Sequence, residues 1–367
     1  MVDFDYFLVF GVTLLTSVAL VATQCWHGHL SLDNSFGVQN HHVEPTPRIG
    51  GVAIALGLFV AWVFAAPDVR AVLGPMLLAG IPAFAFGLAE DITKKVGVMP
   101  RLLATMFSGA LGWYLTGSAI QNTGLMPLDW LLNFLPFAVL FTAFAVGGLA
   151  NAINIIDGFN GLASGSVAIM SAALGLIALQ VGDAPLASVC FIVTMSALGF
   201  GLVNWPLGKL FLGDGGAYLL GFLLAWLGVL LPMRNTEVTS WAPLLVCAYP
   251  VLEVLFTIHR RRKRQDQHPG QPDKGHLHHF IHRRVIRRAL GHLSGKLQNS
   301  LTSPLCWFFT AVPAAAAVMF STDTPMLILC FCLVTVGYSI VYARLTQFAW
   351  CFSALTLQRR SSPVKDS

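Results

Sequence analysis

The sequence predicts an all-α integral membrane protein, a polytopic bundle of about 11 transmembrane helices. Three observations predict it. Of its 367 residues, 56% are hydrophobic and only 11% charged, with mean hydropathy +0.70. A water-soluble domain needs far less apolar surface, whereas a multi-span bundle faces lipid as well as itself. The apolar residues also come in continuous runs near bilayer length, not in the alternation that a β-barrel requires. Finally, the basic residues are sorted by side. With the N-terminus outside, segments 26–48, 90–101, 151–161, 205–214 and 260–302, the tail, and Arg344 at the last helix end hold every Lys and Arg except Arg70 and Arg234. Asp3, Asp5, Asp68, Asp129, Asp183, Glu237 and Asp323 fall on the opposite side. That bias predicts an N-out, C-in orientation.

The predicted spans are 5–25, 49–66, 72–89, 102–118, 128–150, 162–181, 185–204, 215–232, 240–259, 303–321 and 325–345. The run at 49–66 is short for a bilayer, so it tilts little or extends into its flanks. The first run lacks a basic leader and a cleavage site and is expected to stay as an anchor. Residues 1–345 therefore form one transmembrane domain, and 346–367 a cytoplasmic tail, polar from Gln358.

The net charge of +5 is a signature of topology and of a basic inner surface, not of nucleic acid. Its densest patch, Arg260–Arg264, is accounted for by anionic headgroups alone. The seven cysteines all sit in or beside apolar runs and read as small hydrophobes; Cys330 and Cys332 are not a metal-type pair.

Between two spans lies Asn151-Ala-Ile-Asn154-Ile-Ile-Asp157-Gly158-Phe159-Asn160-Gly161. Polar side chains recur there every third residue, a curved stripe on a helix that steps back about 60° each time. Gly158 and Gly161 mark where that helix stops, placing Asp157 near its C-terminus, where the dipole disfavours an anion. A polar loop is one reading; costly polar groups at membrane depth more often serve function.

Other inner segments repeat the theme. The first carries Asp33 and then His41-His42-Val43-Glu44-Pro45-Thr46-Pro47-Arg48-Ile49-Gly50-Gly51, either a rigid approach to a helix or a backbone suited to a ligand. Glu90 and Asp91 are adjacent acids at a span end, partly relieved by Lys94 and Lys95, and such neighbours shift one another's proton affinity or share a metal. In Asn204-Trp205-Pro206-Leu207-Gly208-Lys209-Leu210-Phe211-Leu212-Gly213-Asp214-Gly215-Gly216, Asp214 reads equally as a helix N-cap or as a group beside phosphate. Glu253 lies inside a span, as a packed acid or a support for the active face. The longest inner loop holds His268, Asp273, Lys274, His276, His278 and His279, then Arg283, Arg284, Arg287 and Arg288. Zinc is the competing reading for the histidines, but they lack a cysteine partner and the usual helical spacing. Donors and charge for phosphate fit better.

All these clusters fall on the inner side. Carboxylates suited to Mg²⁺ (Asp91, Asp157, Asp214), phosphate-friendly Gly, His and Arg, and a membrane setting point to phosphoryl transfer between a soluble and a lipid substrate. An ion-coupled transporter using the same acids is the alternative, but no internal repeat accompanies them and the acids sit at span ends.

The ordered motifs Pro-Thr-Pro-Arg-Ile-Gly-Gly, Glu-Asp-x-x-Lys, Asn-Ala-Ile-Asn-x-x-Asp-Gly-x-Asn-Gly-Leu-Ala, Phe-Leu-Gly-Asp-Gly-Gly and His-Leu-His-His carry a resemblance that covers the chain from about Asp33 to Phe280. The chain resembles the polyprenyl-phosphate N-acetylhexosamine-1-phosphate transferases, a superfamily that includes the MraY and WecA enzymes, and it looks closer to the WecA-like branch. The resemblance implies transfer of a sugar 1-phosphate from a UDP-N-acetylhexosamine to undecaprenyl phosphate, releasing UMP, with Mg²⁺ (Mn²⁺ as the alternative ion). It implies the bacterial cytoplasmic (inner) membrane and a product that starts cell-envelope polysaccharide. Expected partners are those two substrates and membrane lipids, with no nucleic acid and a homodimer left open.

By that resemblance Asp214, with Asp157, ligates the metal, and Glu90, Asp91 and Asp157 are the catalytic candidates. Lys94, Asn154, Asn160, Asn204 and Phe211 line the nucleotide site. His276, His278, His279, Arg48 and Arg101 meet the phosphates. Two positions depart from the family pattern: Glu90 replaces the first Asp of a pair, and Asn160 replaces a second Asp. Asp91 is therefore preferred to Glu90 as the acid–base group.

Overall fold

The computed structural model describes residues 4–31, 46–263 and 275–347. Asp33, His41, His42, Glu44, Pro45, His268, Asp273, Lys274 and the tail after Gln347 lie outside the described residues. Every regular element described is helical. In chain order these are α1 (Phe4–Ala22), α2 (Gln24–Ser31), α3 (Gly50–Phe64), α4 (Pro67–Thr93), α5 (Val98–Thr116), α6 (Met126–Leu132), α7 (Leu135–Ile156) and α8 (Leu162–Gln180). There follow α9 (Ala184–Asn204), α10 (Gly213–Arg234), α11 (Trp241–Val246), α12 (Ala248–Lys263) and α13 (Leu277–Ile281). After a π-helical turn, His282–Ile286, come α14 (Arg287–Ala289), α15 (Gly295–Met319) and α16 (Thr324–Thr346).

Among the described residues, eight helices, α1, α4, α7, α8, α9, α10, α15 and α16, are long and apolar enough to cross a membrane. The other three predicted runs are helical too, as α3, α5 and the pair α11–α12. One predicted span differs in form. The run 240–259 is broken at Cys247 because Pro250 has no N–H for the Val246 carbonyl and its ring crowds that carbonyl.

At the centre stands α10, with 83% of its span buried, packed on α3, α4, α7 and α8. Its surroundings are close because small residues let backbones meet. A Cβ on Gly87 of α4 would lie 2.6 Å from the Asp214 carbonyl oxygen and 2.7 Å from the Gly215 Cα. Gly51 makes the same kind of contact with the Gly216 backbone, so the Gly50–Gly51 pair serves helix packing. By contrast α16 is only 11% buried and presents Leu329, Leu333, Val336 and Ile340 outward, as a lipid-facing helix does.

The two ends of the bundle are built differently. At one end Asp183 caps α9 through the Leu186 amide (3.2 Å) and takes both Arg234 Nε (2.7 Å) and Nη2 (2.9 Å). At the other end α4 and α7 finish, α8 and α10 begin, and the candidate residues gather.

Candidate active site

Backbone pairing brings two distant motifs together first. The Phe211 amide donates to Pro47 O (2.8 Å), while Gly50 N and Gly51 N donate to Phe211 O and Leu212 O (both 3.0 Å). This pairing places Arg48 beside the start of α10. Gly213, with φ of +73°, turns the chain into that helix, and a Cβ on it would sit 2.6 Å from Asp91 Oδ2. The positive φ and the close approach both require glycine.

Asp91, 1% exposed, spends both oxygens on the first turn of α10. Oδ1 accepts from the Asp214 amide at 2.9 Å and Oδ2 from the Gly215 amide at 2.8 Å. Amides there are orphan donors at the positive end of the helix, so a carboxylate suits them. The side chain of Asp214 consequently caps nothing, and the N-cap reading of that residue is removed. Its carboxylate instead meets Arg101 Nη1 at Oδ2, and Arg48 Nη2 (3.4 Å) and Asn154 Nδ2 (3.1 Å) at Oδ1. Arg101 also lies over the Tyr218 ring, 5.9 Å from its centroid. Arg48 Nε reaches to 3.9 Å of Asp91 Oδ1, so one guanidinium bridges the two acids.

Glu90 closes the end of α4, accepting from the Val96 amide at 2.7 Å. Lys94, the αL residue that stops α4, is exposed beside it. Asp157 ends α7 as foreseen. The residue keeps some surface open, but its carboxyl is ringed by protein. That burial, opposed by the charge of Arg48 and reinforced by that of Asp91, pushes it up to about 7. No described residue hydrogen-bonds the Asp157 side chain.

The histidine turn closes over the same place. A Cβ on Gly158 would stand 3.2 Å from His278 Nε2, and Phe159 packs on His278, His279 and His282 at 5.7, 5.6 and 5.1 Å between ring centres. His278 is fully buried. Burial, followed by its neighbours His279 and His276, holds its imidazole well below the ordinary range and hence neutral at pH 7.

The structure thus joins Arg48, Asp91, Arg101, Asn154, Asp157 and Asp214 in one cluster, with His278 against its edge. It places Asn160 and Asn204 in scaffolding. Asn160, 2% exposed, is held by Asn299 Oδ1 at its amide (2.9 Å) and by Ser303 Oγ at its carbonyl (2.6 Å). Asn204 Oδ1 takes the Gly161 amide, and its Nδ2 donates to Leu210 O at 2.8 Å. Phe211 acts through its backbone. The α15 residues Asn299, Ser300 and Ser303 escaped the sequence reading; their signal was a run of small polar residues opening an otherwise apolar helix.

Residues 73–231 match Glycosyl transferase family 4, a stretch that contains Asp91, Arg101, Asn154, Asp157 and Asp214. Over that stretch the chain is similar to the family. Among similar proteins, the undecaprenyl-phosphate alpha-N-acetylglucosaminyl 1-phosphate transferase of Yersinia pestis is 26% identical over 285 residues, 76% of this chain and 75% of that protein. The protein of the same name from Escherichia coli K12 is 28% identical over 262 residues, 67% of each. A probable undecaprenyl-phosphate N-acetylglucosaminyl 1-phosphate transferase of Bacillus subtilis is 27% identical, over 65% of this chain and 66% of its own length. The matched stretch and the cluster above share the ends of α4, α7 and α10.

Proposed function

We propose that this chain transfers an N-acetylhexosamine 1-phosphate from a UDP-sugar to undecaprenyl phosphate, releasing UMP. It does so at the cytoplasmic face of a bacterial inner membrane, crossed 11 times with N-terminus out and C-terminus in. The observation that carries the proposal is convergence. Five segments spread from Arg48 to His278 deliver three carboxylates, two guanidiniums and a histidine turn to one end of an apolar bundle. A soluble diphosphate and a membrane-held phosphate can meet only at such an end. Transport along the acids would put them at mid-span; Asp91, Asp157 and Asp214 instead stand at helix ends. The relatives' names make UDP-N-acetylglucosamine the first donor to test.

Mg²⁺ is the metal the donor set suits. Asp157 and Asp214 offer hard oxygens, and the Asp157 carboxyl has no hydrogen-bond partner among the described residues. Among those residues no group of three or more His, Cys, Asp and Glu forms a full cage, nor does Mg²⁺ need one when substrate phosphates and water complete its shell. Asp157 and Asp214 would hold the ion, which when bound neutralises charge between two approaching anions. Arg48 and Arg101 bring positive charge to the same phosphates. Asp91 keeps Asp214 in place through the α10 amides. A lipid phosphate is already an anionic oxygen nucleophile, so it attacks the sugar-linked phosphorus directly. The new P–O bond forms as the bond to UMP breaks, the electron pair leaves with UMP, and the sugar C1–O bond stays intact.

Purified enzyme with Mg²⁺, undecaprenyl phosphate and several UDP-N-acetylhexosamines should give UMP and a lipid-diphosphate sugar from one of them. No product from any donor refutes the assignment.

A further inference from the structure

Glu253 is 1% exposed inside α12, and neither the metal nor the phosphate groups claim it. Its carboxylate is spent on the histidine turn. Oε1 accepts from the Leu277 amide at 2.9 Å, and Oε2 lies 3.3 Å from His276 Nδ1. Leu277 opens α13, whose own N-cap, His276, makes no side-chain cap bond. Glu253 therefore supplies, from another helix, the acceptor that a cap residue ordinarily provides.

The second contact determines where a proton sits. His276 Nδ1 faces Thr257 Oγ1 (3.3 Å) as well as Glu253 Oε2, and the Thr257 hydroxyl hydrogen is already donated to Glu253 O at 2.7 Å. Both neighbours of Nδ1 are acceptors, so Nδ1 must carry the proton and Nε2 is the edge left over. The rings of His276 and His278 stack at 5.2 Å with planes 12° apart, so fixing one restrains the other. His278 Nδ1 lies 3.8 Å from Glu253 Oε1, and its Nε2, buried without a partner, stands against Gly158 beside Asp157.

We propose that Glu253 is a positioning residue. By capping Leu277 and holding His276 as its Nδ1–H tautomer, which leaves Nε2 an acceptor, it sets the histidine turn against the Asp157–Gly158 turn. The inference rests on the transferase reading for its effect on turnover, but its effect on His276 needs no substrate.

The test compares Glu253→Gln and Glu253→Asp with the wild type. Gln keeps an acceptor for the Leu277 amide but turns an NH₂ toward Nδ1–H, donor against donor. Asp keeps the acceptor pair on a shorter arm. Histidine side-chain ¹⁵N resonances report the tautomer, with His276→Asn identifying its signal. The expected result is Nδ1–H in the wild type and in Glu253→Asp, and Nε2–H in Glu253→Gln. Turnover should fall about tenfold or more in Glu253→Gln, with KM for the UDP-sugar changed less than about threefold, and should partly recover in Glu253→Asp. An Nε2–H wild type, an unchanged tautomer in Glu253→Gln, or a flipped tautomer with full turnover each overturns the proposal. A wild type without transferase activity sinks the transferase reading alone, and the tautomer pair then decides the role of Glu253.

Discussion

Asp91 caps the helix that carries Asp214: its two oxygens accept the Asp214 and Gly215 amides at 2.9 and 2.8 Å. A carboxylate occupied in this way serves as a brace more readily than as a proton acceptor. Asp91→Asn keeps one acceptor and loses the charge that complements the helix N-terminus. It should lower thermal stability, on the order of 1 kcal/mol for a damaged cap, and turnover together. A base role predicts lost turnover with an unchanged melting temperature, so measuring both in one preparation separates the two.

Asp214→Asn removes the charge shared by Arg48 and Arg101, although Arg48 keeps Asp91 on its other side. Because the side chain caps no helix, Asn cannot compensate by capping. Turnover should drop by at least about 100-fold and stay low at saturating Mg²⁺. Recovery of normal rates with added Mg²⁺ would mean that Asp214 contributes affinity only.

Gly87→Ala and Gly158→Ala probe two kinds of crowding. At Gly87 the added Cβ meets α10 backbone at 2.6 and 2.7 Å, which has nowhere to go, so stability should fall by about 1–3 kcal/mol. At Gly158 it meets the edge of His278 at 3.2 Å, a contact that a small ring shift relieves. Stability should then hold while turnover falls several-fold. Thermal melts with steady-state rates distinguish them, and equal effects in both variants would contradict the geometry.

At the opposite end, burial alone would raise the Asp183 carboxyl, but hydrogen bonds from Arg234, Asn235 and the Leu186 amide, with the charge of Arg234, bring it below its ordinary 3.8. A depressed carboxylate stabilises the fold above its unfolded value and loses that contribution as pH falls through the folded one. The melting-temperature gap between wild type and Asp183→Asn should therefore be full at pH 6 and shrink below about pH 4. A gap independent of pH would show that the ion pair contributes nothing.

If attack on the sugar-linked phosphorus is direct, delipidated enzyme with Mg²⁺, UDP-sugar and labelled UMP should put no label into UDP-sugar. Steady incorporation would require a covalent phosphoryl-enzyme, with Glu90 as the carboxylate to examine first.

Composition and run length were enough to specify an all-helical membrane protein, because twenty apolar residues in a row have few other stable states. Motif order likewise named Arg48, Asp91, Asn154, Asp157, Asp214 and the histidines as one group before any contact was known. Which side chain does what was decided only by the tertiary structure. Asp91 and Asp214 are both acids beside glycine or helix ends in the sequence, yet one braces α10 and the other faces Arg48 and Arg101. Asn160 shares the periodic stripe with Asn154, but α15, some 140 residues further on, draws it into scaffolding through Asn299 and Ser303. Glu253 stood alone in an apolar run, and its purpose emerged when α12 packed beside His276 and Leu277. Hydropathy and local spacing act over one or two turns of helix, whereas a hydrogen bond's partner is set by which helices pack together, and that information is spread over the whole chain.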